Sequence, residues 1–335
     1  MDRPVSAAPL QLRGWLPAGT SCQDGQLLID WLHFGADRLS EPFFDGDIRR
    51  VLRRPFNQLL RLRTPMAALA ESQQRHTGLP PTGFIFHMSR CGSTLVSQML
   101  AALPRNIVVS EAAPIDAVLR ARQTCPGLAE EEQLRWLQWM IGALGQPRRG
   151  DERHLFIKFD SWHVLDLALI RRAFPAVPWI FLYRDPVEVM VSQMNRRGSQ
   201  MVPGMVSPLR YGIDPAEGMA MPAHEYCARV LEVICQSALH HCSDSVARLV
   251  NYAQLPQALD DVVIPHFGFD CTIAERQRMA EVMQFDAKAP SFTFTPDAEA
   301  KQAQATAAVR AATEVRLGPG YRQLEAYRQG TACPP

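Results

Sequence analysis

Residues 83–95 read GFIFHMSRCGSTL, and no other stretch restricts the fold of this chain as much. An apolar run, Phe84-Ile85-Phe86, enters a loop of small and basic residues, and helix-forming residues from Leu95 to Ala102 follow at once. The pattern predicts a strand, an anion-binding loop and a helix start. Free N–H groups at a helix N-terminus, backed by the helix dipole, attract a phosphate-like group. Gly92 admits close approach of the backbone, Ser93 and Thr94 supply hydroxyls, and Arg90 supplies positive charge. The ATP-type loop GxxxxGK[ST] would need Lys at Ser93 and Gly at the loop entry, and neither is there. Taken alone, the same letters also fit an ordinary βα turn capped by Ser93 or Thr94.

A second stretch has the same architecture. Residues 180–192, IFLYRDPVEVMVS, form an apolar strand that ends in Arg184-Asp185-Pro186 and continues into a helix carrying Ser192. Pro186 suits a first helical turn, where its missing N–H costs nothing. The Arg fork donates two hydrogen bonds at once and so suits a phosphate, although a structural salt bridge to Asp185 or a neighbour would use Arg184 as well.

Together the two stretches resemble the PAPS-dependent sulfotransferases, in which PAPS is 3′-phosphoadenosine 5′-phosphosulfate. That family's 5′-phosphosulfate loop reads Pro-(Lys/Arg)-Ser-Gly-Thr-Thr and an apolar residue. Here Ser89 replaces the Pro and Cys91 the Ser, while Arg90, Gly92, Ser93, Thr94 and Leu95 fall on the remaining positions. Cys91, a weak donor, would contribute its backbone N–H. The family holds the 3′-phosphate with an Arg at a strand end and a Ser on the next helix, the spacing of Arg184 and Ser192. Glu111 stands at the offset from the loop Gly where the tyrosylprotein sulfotransferases carry their catalytic Glu. Lys158 matches the strand-end Lys that stabilises charge on the transferring group, and Asp160 stands where cytosolic members carry a catalytic His. Tyr252 matches a late-strand Tyr that contacts the nucleotide. The resemblance implies a soluble, bacterial-type sulfotransferase with PAPS as donor and adenosine 3′,5′-bisphosphate (PAP) as product. It implies no required metal and transfer to a hydroxyl, or an amine, of a small-molecule, lipid or saccharide acceptor.

Read for chemistry alone, Glu111 and Asp160 compete for the role of general base. Glu111 can instead complement a helix dipole, and Asp160 can cap a helix starting near Ser161; His163 is a third candidate. Two other readings stay open: a P-loop kinase using Asp185 for Mg²⁺, and a binding protein that has kept the nucleotide pocket without turnover.

The rest of the chain is consistent with one large unit. From residue 83, strands near 84–88, 106–110, 154–159, 178–183 and 247–252 alternate with helices near 93–103, 113–122, 129–144, 161–174, 187–197, 223–243, 258–267 and 273–284. This predicts an α/β fold of the P-loop kind, three layers αβα about a central parallel sheet, over residues 81–335. Residues 1–80 read as an extension packed on that core. In it 27–34 is a strand or short helix, 43–62 has helical spacing, and Arg49, Arg50, Arg53, Arg54, Arg61 and Arg63 read as a solvated face beside Glu41, Asp45 and Asp47. Residues 198–222, rich in Gly, Pro and Met, read as a lid or a surface excursion, with Met201, Met205 and Tyr211 as candidate acceptor contacts. The C-terminal part is polar, and Lys288 is its one guess at a phosphate contact.

The chain has 335 residues and a net charge of +1, so no global field selects nucleic acid or an anionic membrane as partner. It offers no signal-peptide core and no long apolar span, which predicts a cytoplasmic protein. Its 8 cysteines include no CxxC pair. Cys227, Cys235 and Cys242 lie near His240 and His241, but Cys227, Leu231, Ile234, Ala238 and Cys242 share helical spacing, which favours a buried stripe over a metal site.

Overall fold

In the computed structural model the described residues are 11–243, 245–287, 289–293 and 297–331; Lys288 lies outside them. The sheet that carries the molecule is made by the apolar runs of the sequence. After a hairpin β1 (Trp15–Gln23) and β2 (Gln26–His33) and a short β3 (Leu62–Pro65), the central strands are β4 (Pro81–His87), β5 (Asn106–Ser110), β6 (His154–Lys158), β7 (Trp179–Tyr183) and β8 (Ala247–Asn251). Their order in the sheet is β5-β6-β4-β7-β8, and every neighbouring pair is parallel. Strands covered on both faces read as continuous apolar runs, and Phe84, Ile85, Phe86, Ile157, Ile180, Phe181 and Leu182 are all fully buried. Phe86 stacks on Phe159 with ring centroids 4.7 Å apart, and Trp179 meets Phe86 edge-on.

Helices cover both faces, giving the three layers expected. α1 (Phe44–Leu52) precedes the core. The helix after β4, α2 (Ser93–Ala101), packs with Ile273–Val282 on one face. On the other stand α3 (Ala113–Leu119), α4 (Glu130–Leu144), α5 (Leu167–Ala173), α6 (Pro186–Asn195) and α7 (Ala223–His241). Connections from β4 run first outward to β5 and later to the other side through β7. The carboxyl end of β4 is therefore a topological switch point, where open α/β sheets bind ligands.

Several boundaries differ from expectation for local reasons. The helix expected at 161–174 starts as a 3₁₀ turn, Ser161–Asp166, before α5. The one expected at 43–62 is broken at Pro55, because Arg54, preceding a proline, is extended at ψ 134°. Of the two alternatives for 27–34 the strand is found, as Gln26–His33, part of an antiparallel three-stranded sheet that sequence periodicity did not reveal. The polar C-terminal part forms α8 (Ala298–Gln304), α9 (Ala307–Arg316) and α10 (Gly318–Arg328).

The N-terminal sheet lies on the core through buried polar contacts: Gln146 accepts from Gly14 N–H (2.6 Å) and donates to the Leu12 carbonyl (3.1 Å). Its arginines pair locally, Arg49 with Asp45 (2.8 Å), Arg50 with Asp37 and Asp47 (2.6 and 2.7 Å) and Arg63 with Asp30 (2.6 Å). Residues 198–222 fold into short turns, Ser199–Met201, Pro208–Tyr211 and Pro215–Ala220, with Met201, Tyr211 and Ile213 buried and Met205 exposed. Among the described residues no helix is long and apolar enough to cross a membrane.

Candidate active site

The loop between β4 and α2 has an unusual backbone. Ser89, Arg90 and Gly92 all take positive φ (80°, 55° and 84°), which turns successive N–H groups to one side. Only glycine fits the third of these positions. A Cβ on Gly92 would come within 2.6 Å of the Tyr252 ring, on top of its left-handed φ. No side chain caps the N-terminus of α2, so its first N–H groups are left for a ligand. The Cys91 thiol is turned into the sheet and donates to the Leu182 carbonyl (3.1 Å).

This loop opens onto a cavity of about 510 Å³. Arg90, Cys91, Gly92, Ser93, Thr94 and Leu95 line it on one side, and Arg184, Ser192 and Tyr252 on the other. The two sequence motifs touch: Arg90 Nε donates to Ser192 Oγ (3.0 Å), and its Nη2 reaches the carbonyls of Ser192 (3.4 Å) and Arg196 (3.2 Å). Arg184, at the end of β7, lies over the Tyr252 ring, 4.1 Å from its centroid. Its guanidinium is also paired with Glu188, one turn into α6, and with Asp297 at the start of α8 (2.7 Å). The salt bridge considered for Arg184 therefore exists, with Glu188 and Asp297 as partners. Asp185 instead caps α6, accepting from the N–H groups of Val187 (2.9 Å) and Glu188 (3.2 Å).

A second cavity, of about 410 Å³, lies behind the loop. It shares Arg90, Ser93 and Thr94 with the first and adds His87, Glu111, Asp160 and Trp162. Glu111 and Lys158 end neighbouring strands, since Ser110 pairs in register with Lys158, and the Lys158 ammonium is ion-paired with Glu111 Oε1. Glu111 itself takes φ 54°, a left-handed conformation that a non-glycine residue adopts only when its surroundings impose it, at a cost of about 1–3 kcal/mol. Burial pushes the Glu111 carboxyl up, but Lys158 and His87 outweigh it and hold it well below the usual range. Asp160 behaves oppositely: burial, with Glu111 and Asp116 nearby, pushes it up to about 7. Asp160 is also the N-cap residue of the 3₁₀ turn, its N–H donating to His163 Nδ1 (3.2 Å). That bond leaves the His163 proton on Nε2, which faces Asp116 (2.9 Å).

Sequence reasoning passed over four contributors. His87, the last residue of β4, accepts from Ser89 N–H at Nδ1 (3.1 Å), and its Nε2 lies between the Phe159 carbonyl (3.1 Å) and Glu111 Oε1 (3.4 Å), linking the anion loop to the carboxylate. Its place at a strand end was the available signal. Phe43 comes from the N-terminal extension, with its ring 4.9 Å from Lys158 Nζ. Asp297 and Lys301, paired at 2.6 Å, both line the first cavity. Of the contacts suggested from 198–222, Met201, Met205 and Tyr211 line neither cavity, whereas Gly198, Ser199 and Gln200 line the second. Cys227, Cys235 and Cys242 are buried along α7, and burial pushes the thiols of Cys227 and Cys235 up to about 12.

The sheet order, the strand–loop–helix turn and the three layers define an α/β protein of the P-loop class. No protein-family model matches the sequence, and no curated protein matches it. Among solved structures it is similar to the sulfotransferase domain of the curacin biosynthetic pathway, at 17% identity over 77% of this chain and 100% of that one, with a TM-score of 0.45. The sulfotransferase domain of the Synechococcus olefin synthase is 17% identical over 75% of this chain and 96% of that one (TM-score 0.38). A sulfotransferase of Mycobacterium tuberculosis is 12% identical over 75% and 81% (TM-score 0.40). At such identities and TM-scores the likeness is one of outline.

Proposed function

We propose that the protein is a PAPS-dependent sulfotransferase. The observation that carries this reading is the convergence of two separate anion-binding motifs on one cavity, tied together by the bond from Arg90 to Ser192 (3.0 Å). In it the loop N–H groups of 91–95, with Arg90, Ser93 and Thr94, hold the 5′-phosphosulfate. Arg184, Ser192 and Tyr252 hold the 3′-phosphate end. Because Gly92 has no Cβ, the Tyr252 ring packs directly against the loop, which keeps the aromatic face beside the proposed phosphosulfate site. Asp297, with its side chain 44% exposed, is the partner that a phosphate displaces from Arg184, while the more buried Glu188 stays.

Transfer then uses the second cavity, which meets the first at Arg90, Ser93 and Thr94. An acceptor oxygen bonds to sulfur, the bridging S–O bond breaks, and its electron pair leaves on PAP. Lys158 offsets the charge gathering on the bridging oxygen, and Glu111, held by His87, takes the acceptor proton. Catalysis is positioning plus electrostatics. One observation favours a second assignment of the base: Asp160, held near 7, has the proton affinity that general-base catalysis at neutral pH asks for.

The kinase reading has less support, since Ser93 replaces the loop Lys and Asp185 is occupied in capping α6. Calorimetric titration separates the two. PAP is expected to bind in the absence of metal, and Arg184→Ala to weaken it roughly 10- to 100-fold, the loss of one or two charge-assisted hydrogen bonds. Tighter binding of ATP·Mg²⁺ than of PAP would overturn the proposal, and labelled PAPS offered with acceptor pools then tests turnover directly.

A further inference from the structure

The second cavity holds more than a proton acceptor. Part of its wall is the segment 196–200, and this segment is pinned from three sides. The Arg196 carbonyl accepts from Arg90 Nη2 (3.2 Å). Gln193, fully buried, donates to Ser89 Oγ (3.0 Å) and accepts from Gly198 N–H (3.0 Å). Gln200, also buried, donates to Ser161 Oγ across the cavity (3.0 Å). What these buried amides hold in place are two adjacent exposed arginines, Arg196 and Arg197.

Both arginines line this cavity and neither lines the donor cavity. Among the described residues neither guanidinium has a carboxylate partner, in contrast to the paired arginines of the N-terminal extension. The acids on the facing wall do not balance them. Glu111 is matched by Lys158, and Asp160 is held largely protonated up to about pH 7 by its burial. Two neighbouring like charges without a counter-charge repel each other, and an anion between them removes that cost. Phe43 and Trp162 give the same cavity an aromatic wall. A volume of about 410 Å³ suits a small molecule rather than a polymer.

We infer that the acceptor is a small hydroxylated anion, whose carboxylate or phosphate monoester rests on Arg196 and Arg197 while its hydroxyl faces Glu111. The inference rests on the sulfuryl-transfer reading and adds the class of acceptor to it. Its probes are 4-hydroxyphenylacetate, 4-hydroxyphenyl phosphate and the uncharged methyl 4-hydroxyphenylacetate, titrated calorimetrically into the full chain loaded with PAP. The two anions are expected to bind at least about tenfold more tightly than the ester, a contrast typical of a matched charge at a binding site. The stronger of the two identifies the anionic group.

The double variant Arg196→Gln/Arg197→Gln is expected to lose this preference while binding PAP as before, and Arg196→Lys/Arg197→Lys to keep it. Equal binding of ester and anions, a preference that survives in the glutamine variant, or no binding by any of the three probes would overturn the inference. Failure of PAP itself to bind the unaltered protein would instead overturn the sulfotransferase reading, so the two failures are told apart.

Discussion

Glu111 and Asp160 are two carboxylates on one cavity wall with opposite electrostatics. Glu111 is kept ionised by Lys158 and His87, whereas Asp160 is kept protonated until about pH 7. With Glu111 as base, kcat is expected to be flat between pH 5.5 and 8, and Glu111→Gln to lower it by roughly 10²- to 10⁴-fold, with Asp160→Asn retaining most activity. A rate that climbs through pH 7 and vanishes in Asp160→Asn would transfer the role to Asp160. Stability carries a separate signature. Because the folded pKa of Asp160 is raised, the native state keeps a proton that the unfolded chain releases near pH 4, so its contribution falls as pH rises from about 4 to 7. Thermal melts should therefore show Asp160→Asn gaining on the wild type over that window and holding the gain above it. Asn still serves at an N-cap, so the turn at Ser161 is preserved.

At the scale of elements, α8 is the piece whose role the sequence concealed. Asp297 at its start pairs with Arg184, and Gln302 donates to Asp185 Oδ1 (3.0 Å), so the helix clasps the β7–α6 junction. Asp297→Asn removes the carboxylate that competes for Arg184. PAP affinity is expected to rise severalfold to about tenfold, the scale of one partly exposed ion pair, as read by calorimetry; unchanged or weaker binding would argue against a phosphate at Arg184. The elements near the site were legible for reasons that explain why α8 was not. The inner stretches of strands β4 to β7 are buried on both faces, so their middle letters are apolar, and β5 spans the same residues as its expected run. Arg184 and Ser192 could be paired in advance only through the resemblance to the sulfotransferases, whose Arg and Ser have the same spacing. The residues of α8 include none that are buried, so no apolar period marks it and its docking is by side-chain polar contacts. Phe43 was illegible for another reason, since its contact with Lys158 joins residues distant in sequence, and the link from His87 to Glu111 likewise spans distant residues although its strand-end position could be seen.

The molecule as a whole does not divide simply at residue 80. Leu16, Ile29, Trp31 and Phe34 of the extension belong to the same continuous buried cluster as the sheet, and Phe43 reaches the second cavity. At about 1.5–3 kcal/mol for each large buried side chain, those four contribute on the order of 10 kcal/mol, comparable with the net stability of a typical domain. A chain truncated to residues 81–335 is accordingly expected to lose cooperative thermal unfolding and to expose apolar surface to a reporter dye. A truncated form that melts within a few degrees of the full chain and still binds PAP would show the extension to be dispensable. The antiparallel sheet that supplies this packing could not be read in advance, because β1 holds Pro17 and Gly19 and its register shifts between them, which blurs the alternation that marks a half-buried strand.

The grip of Arg90 on Ser192 and on the Arg196 carbonyl ties the turn after β4 to the far end of α6. A cleft braced in this way works as a caliper: the gap between its jaws is set before any guest arrives. On the sulfotransferase reading proposed above, nucleotides with anionic groups at another separation, or with only one such group, are expected to satisfy one jaw but not both, a discrimination by length that needs no recognition of the base.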